Sequence, residues 1–246
     1  MNRLVPTAAL CAACAGGFQA SGISFNYTEG HADLGMIEDG NELEPHFHSE
    51  DDAIINGVLT PDEEFEADEV AVIVPVTVLG TDFGTSDFQD IPEALGLTQG
   101  DQFYNLYQAQ ADANATSSPW LGLGTEEGDP LAFVGGTVDV ALTGFTGPGQ
   151  FALWRDLEGV VWDTLDGLAA EDEVTLLVGG EEHYHWAFTE TGTYKIELTV
   201  TGTLVGETAP ESASGTYTFV VVPEPSVAAM LGLGGLAALR RRRRHA

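Results

Sequence analysis

Apolar and polar residues alternate over short stretches through most of this chain. Valine, threonine and aromatic residues dominate these stretches, and glycine, proline or aspartate separates them. This spacing is typical of pleated strands that bury one face. The pattern predicts strands at residues 69–79, 137–145, 150–154, 174–178, 184–188, 193–203 and 216–222. Seven strands with turns between them predict an all-β fold, specifically an Ig-like antiparallel β-sandwich.

Two segments depart from the strand pattern. Between residues 91 and 113, apolar residues recur at a helix-like spacing, which predicts one short helix packed on an end of the sandwich. The residues that carry this spacing are Leu95, Phe103, Leu106 and Tyr107. Residues 49–68 are acidic and poor in aromatic residues, so we expect them to form an exposed loop.

The first 20 residues have the organisation of a secretory signal peptide. Met1-Asn2-Arg3 is positively charged, small apolar residues follow up to residue 15, and Ala13-Cys14-Ala15 offers the side chains that a signal peptidase reads. Both cysteines of the chain, Cys11 and Cys14, lie in this segment. The exported domain, predicted at residues 21–222, is therefore expected to contain no disulfide.

The last residues combine a proline turn, an apolar stretch and a basic cluster. Pro223, Glu224 and Pro225 precede the apolar residues 227–239, which would span about 20 Å as a helix. Five arginines follow, and by the positive-inside rule they would stay on the cytoplasmic side of a membrane. They are Arg240, Arg241, Arg242, Arg243 and Arg244. This order closely resembles the PEP-CTERM sorting signal of Gram-negative bacteria.

The resemblance implies a route and two processing partners. After signal peptidase, an exosortase-type enzyme would act near the Pro-Glu-Pro motif, with residues 223–246 serving as the sorting tail and C-terminal hydrophobic helix. We expect the protein to be anchored in the inner membrane in transit and then to reach the cell surface or extracellular matrix. Whether the tail is cleaved stays open.

The charge balance excludes some partners. The chain has 39 acidic residues against eight lysines and arginines, a formal net charge of −31, and Arg155 and Lys195 are the basic residues outside the two terminal segments. Such a surface repels nucleic acid and anionic lipid. A salty habitat would screen the self-repulsion, and calcium would neutralise it directly. The acids are dispersed and lack the regular Asp-x-Asp spacing of a calcium loop, which favours the first explanation.

Histidines are rare in the chain, and five of the six form a pattern. One stands alone and four make two His-x-His pairs; they are His31, His46, His48, His183 and His185. Alternate side chains of a strand share a face, so each pair would present two imidazoles on one side. Neutral imidazole suits zinc, copper, nickel or iron. Convergence of the pairs would therefore make a site for zinc or a similar divalent transition metal.

Neighbouring residues would complete such a site. Phe47 and Tyr184, the middle residues of the two pairs, would point away from the imidazoles into the core. Three acids could act as further ligands or accept hydrogen bonds from the ring N–H groups. They are Asp33, Glu181 and Glu182. Alternatively, the histidines merely satisfy local hydrogen bonds.

Four segments resemble the surface-anchored domain known as "choice-of-anchor M". They are residues 30–33, 120–124, 147–154 and 180–194, and the last of these is the most specific. The resemblance implies an exported domain that is attached by differing anchors and often accompanies metal-type ABC transporters. Metal-transport or matrix components are accordingly the expected partners. The matching histidines are His31, His183 and His185, whereas His46 and His48 are added from their spacing alone.

Catalysis is not the expected role. Gly40, His46, His48 and Asp52 resemble the first metal-binding motif of the cupins, but no second cupin motif follows. No Gly-x-Ser-x-Gly or His-Glu-x-x-His motif occurs either. We therefore expect a non-enzymatic protein that captures or buffers a metal outside the cytoplasm. The alternatives are a structural or adhesive envelope protein without a metal and, third, a cupin-like metalloenzyme.

Overall fold

The computed structural model describes residues 22–38, 40–79, 93–98 and 100–223. The predicted signal peptide and the apolar and arginine-rich parts of the predicted sorting tail lie outside these residues, as do Glu224 and Pro225. Among the residues described, no helix is both long enough and apolar enough to span a bilayer.

Most described residues lie in strands, and the helix α1 is short. The strands are β1 (Phe25–Glu38), β2 (Glu42–Ser49), β3 (Ile54–Ile55), β4 (Val58–Leu59), β5 (Glu63–Glu66), β6 (Val70–Val74), β7 (Thr77–Leu79), β8 (Gln102–Leu106), β9 (Pro119–Gly124), β10 (Thr137–Thr146), β11 (Phe151–Arg155), β12 (Gly159–Asp163), β13 (Glu173–Leu177), β14 (Glu181–His183), β15 (His185–Phe188), β16 (Gly192–Gly202) and β17 (Glu211–Val221). The helix α1 covers Gln110–Thr116, and a 3-10 turn covers Val134–Gly136. All seven predicted strands are confirmed, the first as the pair β6 and β7.

Within the described residues the strands form two sheets, consistent with the predicted all-β sandwich. The larger has the order β13-β10-β16-β17-β6-β1-β2-β5, with β9 pairing to β1 and β14 to β9. The smaller has the order β12-β11-β15-β8-β7. Aromatic side chains join the two, since the rings of Trp186 and Phe188 on β15 each lie 5.3 Å from that of Phe219 on β17. Burial of each such side chain stabilises the fold by about 1.5–3 kcal/mol.

Strand β1 belongs to two regions of the larger sheet. Residues Phe25–Tyr27 pair with β6, whereas the part from Gly30 onward pairs with β2 and β9. Gly30 has a φ of +88°, and a Cβ atom there would overlap the backbone of Asp52, so glycine is required at this bend. Beyond the bend, β5, β2, β1, β9 and β14 lie side by side; we call these five strands the wing.

The sequence pattern predicted an antiparallel sandwich, but the larger sheet also contains parallel pairs. Strand β6 pairs in parallel with β1 and with β17, and β9 pairs in parallel with β1. Alternation of apolar and polar residues specifies which face of a strand is buried. It does not specify the direction of the neighbouring strand, and long connections permit parallel pairs.

The predicted helix at residues 91–113 is wrong in its central part. Phe103 and Leu106 lie in strand β8, which pairs with β7 and β15, and the helix α1 begins at Gln110. Phe103 and Asn105 are both buried and share one face of β8. A strand this short alternates over too few residues for the sequence pattern to be distinguished from helical spacing. The tertiary partners of β8 decide its conformation.

Residues 49–68 are not a simple exposed loop. They contain β3, β4 and β5, and they bury Ala53 and Ile55 in the core. Strand β5 pairs with β2, so its acidic residues are carried on the edge of the wing. The high charge of this segment concealed its short hairpins, because carboxylates are depleted in most strands.

Candidate metal centre

Two rows of residues cross one face of the wing. Strand register gives the first row as Glu64, His48, Asp33, Gly122 and His183, and the second as Glu66, His46, Gly35, Gly124 and Glu181. Residues opposite one another in paired strands point to the same face. The alternating positions on the other face bury Leu34, Phe47, Leu121 and Leu123 in the core. Positions on this face and core positions therefore alternate along every inner strand of the wing, and on β9 the positions on this face are glycines.

Glycine makes room for these side chains. A Cβ atom at Gly122 would overlap Asp33 Oδ1 and lie 3.1 Å from His183 Cε1. A Cβ atom at Gly35 would overlap the ring of His46. The backbone of β1 and β9 at these glycines therefore forms the floor on which the carboxylate of Asp33 and the imidazoles lie.

The clearest group of ligand atoms joins β1 to β14, and we call it the β1–β14 site. It comprises His31, Asp33, Glu181 and His183. His31 Nε2 lies 2.9 Å from Glu181 Oε2 and 3.4 Å from Asp33 Oδ2, and His183 Nε2 lies 3.5 Å from Glu181 Oε2. A tetrahedral zinc ion with ligands at about 2.1 Å needs neighbouring ligand atoms about 3.4 Å apart. Two of the three separations match this value and the third is shorter, and all four ligand atoms lie within 4.8 Å of one another.

Several of these atoms are buried without a hydrogen bond. His31 Nε2, both carboxylate oxygens of Asp33, Glu181 Oε2 and both ring nitrogens of His183 lie close to one another, but none of their contacts with the described residues has the geometry of a hydrogen bond. Asp33 is 1% exposed. Buried polar atoms are nearly always hydrogen-bonded, and a buried carboxylate without such bonds is costly. Their convergence on one point is what a cation site requires.

Trp120 on β9 supports the two imidazoles. Its ring stacks on His183 with centroids 3.8 Å apart and planes 7° apart, and it lies 4.2 Å from the ring of His31. The Trp120 Nε1–H donates to the carbonyl of Gln108 at 2.8 Å, which fixes the indole. Trp120 therefore holds both rings in place and lies close enough to report on an ion bound between them.

The charges of the β1–β14 site oppose one another. Burial by itself would lower the pKa of His31, but Asp33, Glu181 and Glu50 outweigh it and raise that pKa. Burial and the neighbouring His31 lower the pKa of His183 to about 4, which keeps this imidazole neutral at pH 7. Burial and Asp33 raise the pKa of Glu181. One divalent cation would relieve the repulsion between the carboxylates and bind the neutral imidazole.

Strand β2 brings two further groups to the same face. His46 lies with Glu64 and Glu127, and His48 lies with Glu50 and Glu126; in each group the ligand atoms are within 4.8 Å of one another. Glu126 and Glu127 come from the turn that follows β9. Within the part of the chain that the structure describes, three groups of histidine and acidic residues could therefore hold a metal ion.

His185 does not join any of these groups. His183 lies in β14, which pairs with β9 in the wing, whereas His185 lies in β15, which pairs with β11 and β8 in the smaller sheet. The chain passes from one sheet to the other at Tyr184, which is buried as expected. The two histidines therefore do not share a strand face, contrary to the expectation from their spacing.

The contacts of His185 are those of a structural residue. Its ring stacks on Trp154 at 3.7 Å. Its Nδ1 accepts from the side chain of Asn105 at 3.1 Å, and its Nε2 lies 3.3 Å from Asp156 Oδ1. Burial lowers its pKa to about 4 even though Asp156 favours the charged form. Both ring nitrogens already have protein partners.

Glu182 also lies apart from the clustered acids. It pairs with Leu123 in the strand register, one position out of phase with the two rows, and its carboxylate forms an ion pair with Arg155. Asp33 and Glu181, in contrast, place their oxygens among the histidine nitrogens. Glu181 and His183 thus point to the face that carries the ligands, whereas Glu182, between them in β14, points to the opposite face.

Sequence reasoning missed several residues of this face. They are Glu50, Glu64, Trp120, Glu126 and Glu127, together with the glycines Gly35, Gly122 and Gly124. The alternation in Trp120-Leu121-Gly122-Leu123-Gly124 was a usable signal, because glycine on every second position of a strand indicates a close approach on one face. The glutamates had no comparable signal in so acidic a chain.

Comparisons with known proteins leave the site to be interpreted from its own geometry. The chain matches no protein-family model, and neither the curated proteins nor the solved structures contain a significant match.

Proposed function

We propose that this protein binds a zinc-like divalent metal ion at the β1–β14 site, with His31, Asp33, Glu181 and His183 as ligands. The observation that carries the proposal is the convergence of buried ligand atoms that make no hydrogen bonds with the described residues, at separations suited to a tetrahedral ion. Two imidazoles and two carboxylates form a mixed nitrogen and oxygen donor set, which zinc accepts readily.

Binding, without catalysis, is the role we propose for this ion. Four protein ligands complete a tetrahedral shell, whereas catalytic zinc sites keep one position open for water or substrate. The Glu181 side chain retains 31% of its exposure, so the ion can enter from solvent. A site of this kind can capture and release a metal.

The cellular role we propose is capture or buffering of the metal outside the cytoplasm. Export and surface anchoring rest on the terminal sequences, which resemble a signal peptide and a PEP-CTERM tail. The resemblance to the choice-of-anchor M domain supports an association with metal transport. A structural or adhesive envelope role remains the alternative for a protein that retains no metal.

The test compares the two histidines of one His-x-His motif. We expect the purified protein to retain near-stoichiometric zinc, His183→Asn to lose it, and the matched control His185→Asn to keep it. Elemental analysis measures the metal, and circular dichroism checks the fold of each variant. At zinc a hundredfold above Kd, the wild type should gain about 2.7 kcal/mol of stability.

Tryptophan fluorescence provides a second readout for the same site. Addition of zinc should change the emission of the wild-type protein, and Trp120→Phe should abolish most of that change, because Trp120 stacks on His183. Equal metal contents in the wild type and His183→Asn would contradict the proposed site. No metal in any protein, with stability unaltered by zinc, would contradict metal binding and favour the structural role.

A further inference from the structure

A second group of possible ligand atoms lies on the same face, towards the β5 edge of the wing. We propose that His46, Glu64 and Glu127 bind a second divalent cation of a harder kind, such as Mn²⁺, between β2, β5 and the turn after β9. The three residues offer ligand atoms within 4.8 Å of one another. None of them belongs to the β1–β14 site, so this inference stands independently of the proposed function.

The orientation of His46 is the first argument for this site. His46 is 3% exposed, and its Nδ1–H donates to the carbonyl of Glu44 at 2.8 Å. In the neutral form of the ring the lone pair is therefore on Nε2, which is buried and accepts no hydrogen bond from the described residues. Metal-binding histidines typically donate one ring N–H to a backbone carbonyl in this way and bind the ion through the other nitrogen.

The surroundings of His46 are the second argument. His46 lines an open cleft of about 290 Å³ together with Phe65 and five glutamates: Glu38, Glu44, Glu64, Glu66 and Glu69. Burial and the neighbouring Glu44 raise the pKa of Glu38. Arg155, one of the two basic residues outside the terminal segments, is engaged by Glu158 and Glu182. Uncompensated carboxylates of this density attract cations.

The turn that supplies Glu127 is held firmly against the larger sheet. Thr125 is fully buried, and its hydroxyl lies 2.8 Å from the carbonyl of Leu177 and 2.9 Å from that of Gly180. A Cβ atom at Gly128 would lie 2.5 Å from the Val178 side chain, so the turn can pack closely only with glycine there. Glu127 is thereby presented over β2, where its Oε1 lies 3.2 Å from His48 Nδ1.

His48 separates the two sites and carries no ion in this proposal. Its Nδ1 lies 3.5 Å from Glu50 and 3.2 Å from Glu127, and its Nε2 lies 3.5 Å from the exposed Asp62, so its carboxylate neighbours lie on both sides of the ring. His46 differs because its ring presents one nitrogen, the buried Nε2, which makes no hydrogen bond with the described residues. The second site therefore has one nitrogen donor among carboxylate oxygens.

The donor sets predict different metal preferences. Carboxylate and water ligands suit Mn²⁺, Ca²⁺ and Mg²⁺, whereas imidazole favours zinc and its neighbours. The β1–β14 site has two imidazoles, but the second site has one imidazole and at least two carboxylates. We therefore expect zinc to fill the first site and Mn²⁺ to bind beside it without displacing zinc.

The experiment titrates Mn²⁺ into the purified full-length protein after loading with zinc, and it measures free Mn²⁺ by its electron paramagnetic resonance signal. We expect Mn²⁺ to bind to the wild type and its affinity to fall roughly tenfold or more in His46→Ala and in Glu64→Gln. Glu63→Gln is the matched control, since it removes the same charge from the adjacent position of β5, which lies outside the two rows. It should bind Mn²⁺ as the wild type does.

Two further measurements separate the sites. Zinc content and the Trp120 fluorescence response should be unchanged in Glu64→Gln, whose exposed position makes loss of folding improbable as an explanation. In His183→Asn, zinc should be lost and Mn²⁺ binding at the second site retained. Absence of Mn²⁺ binding in the wild type, or equal affinity in Glu64→Gln and Glu63→Gln, would overturn the second site while leaving the first intact. Mn²⁺ binding that vanishes in His183→Asn alone would also overturn it.

Discussion

At the scale of single residues, identical side chains have different roles because their ring nitrogens have different partners. His46 and His183 keep a buried nitrogen that makes no hydrogen bond with the described residues. In His185, Nδ1 accepts from Asn105, and the backbone N–H of Gln108 lies 3.4 Å from the same nitrogen. Protonation of Nδ1 would place its proton against these two N–H donors and remove the acceptor that they use. His185 is therefore held neutral by its fold, and its pKa follows from burial.

This environment predicts an acid-sensitive contribution to stability. The pKa of His185 is about 4 in the folded protein and about 6.5 in the unfolded chain, so between these values the unfolded state binds more protons. Stability from this residue is fully present above pH 6.5 and is lost as the pH falls towards 4. At pH 5 the loss amounts to about 2 kcal/mol relative to pH 7.

His185→Asn tests this prediction, because asparagine keeps an acceptor near the position of Nδ1. The variant should be less stable at pH 7, where it lacks the stacking on Trp154, but its stability should decline less on going from pH 7 to pH 5. Urea unfolding of both metal-free proteins at the two pH values measures the difference. Parallel declines would show that His185 is not the group responsible.

At the scale of elements, β9 illustrates how one strand serves the site and the core together. Its residues alternate between glycines, which lie beneath the metal ligands, and leucines, which are fully buried. Parallel pairing with β1 and antiparallel pairing with β14 bring Asp33 and His183 to either side of Gly122. The site therefore depends on register, because a shift of one residue would place leucine beneath the ligands.

Gly122→Ala should damage the site more than the fold. The added methyl group would overlap Asp33 Oδ1, so we expect zinc affinity to fall by about tenfold or more and stability to fall by about 1–3 kcal/mol. Gly180→Ala is the control, since a Cβ atom there meets nothing closer than 3.9 Å. Zinc titration and urea unfolding measure the two effects, and wild-type zinc affinity in Gly122→Ala would contradict the role of this glycine.

Leu123→Ala, at the next position of β9, should have the opposite effect. Leu123 is fully buried on the core face, and its truncation should cost about 2–5 kcal/mol. Zinc stoichiometry should remain that of the wild type at temperatures where the variant is folded. Loss of zinc from the folded variant would indicate that the two faces of β9 are not independent.

At the scale of the whole molecule, the dominant feature is uncompensated negative charge. The chain has a formal net charge of −31, and the acids of the wing add a local concentration of carboxylates beside the predicted metal sites. Self-repulsion of this size destabilises a compact state and at the same time draws cations towards it. The same surface therefore links the stability of the fold to the ions around it.

Salt should stabilise the metal-free protein. Raising sodium chloride from 0.1 M to 1 M shortens the Debye length from about 10 Å to about 3 Å, so the repulsion weakens and the melting temperature should rise. Sodium and potassium chloride should act equally at equal ionic strength. A much larger rise with calcium chloride at the same ionic strength would instead favour specific calcium binding as the reason for the acidic surface.

The sequence alone was sufficient for part of the strand set and for several of the candidate ligands, but the five strands of the wing were not among the predicted strands. Alternation of valine and threonine with polar residues identified seven strands, because burial of one face imposes a period of two. The rarity of histidine singled out His31, His46, His48, His183 and His185, of which His185 lies outside the three groups of possible ligands. The terminal segments, which lie outside the described residues, remain predictions of export and sorting.

Tertiary structure decided which of these residues meet. The passage between sheets at Tyr184 separates His183 from His185, and the parallel pairing of β1 with β9 brings His31 and Asp33 to β14. Glu64, Glu126 and Glu127 join the face through strand pairing and a buried turn, which no local pattern specifies. Local sequence determines the conformation and buried face of each segment, but contact between distant segments depends on strand order and register, and these are determined by the packing of the whole chain.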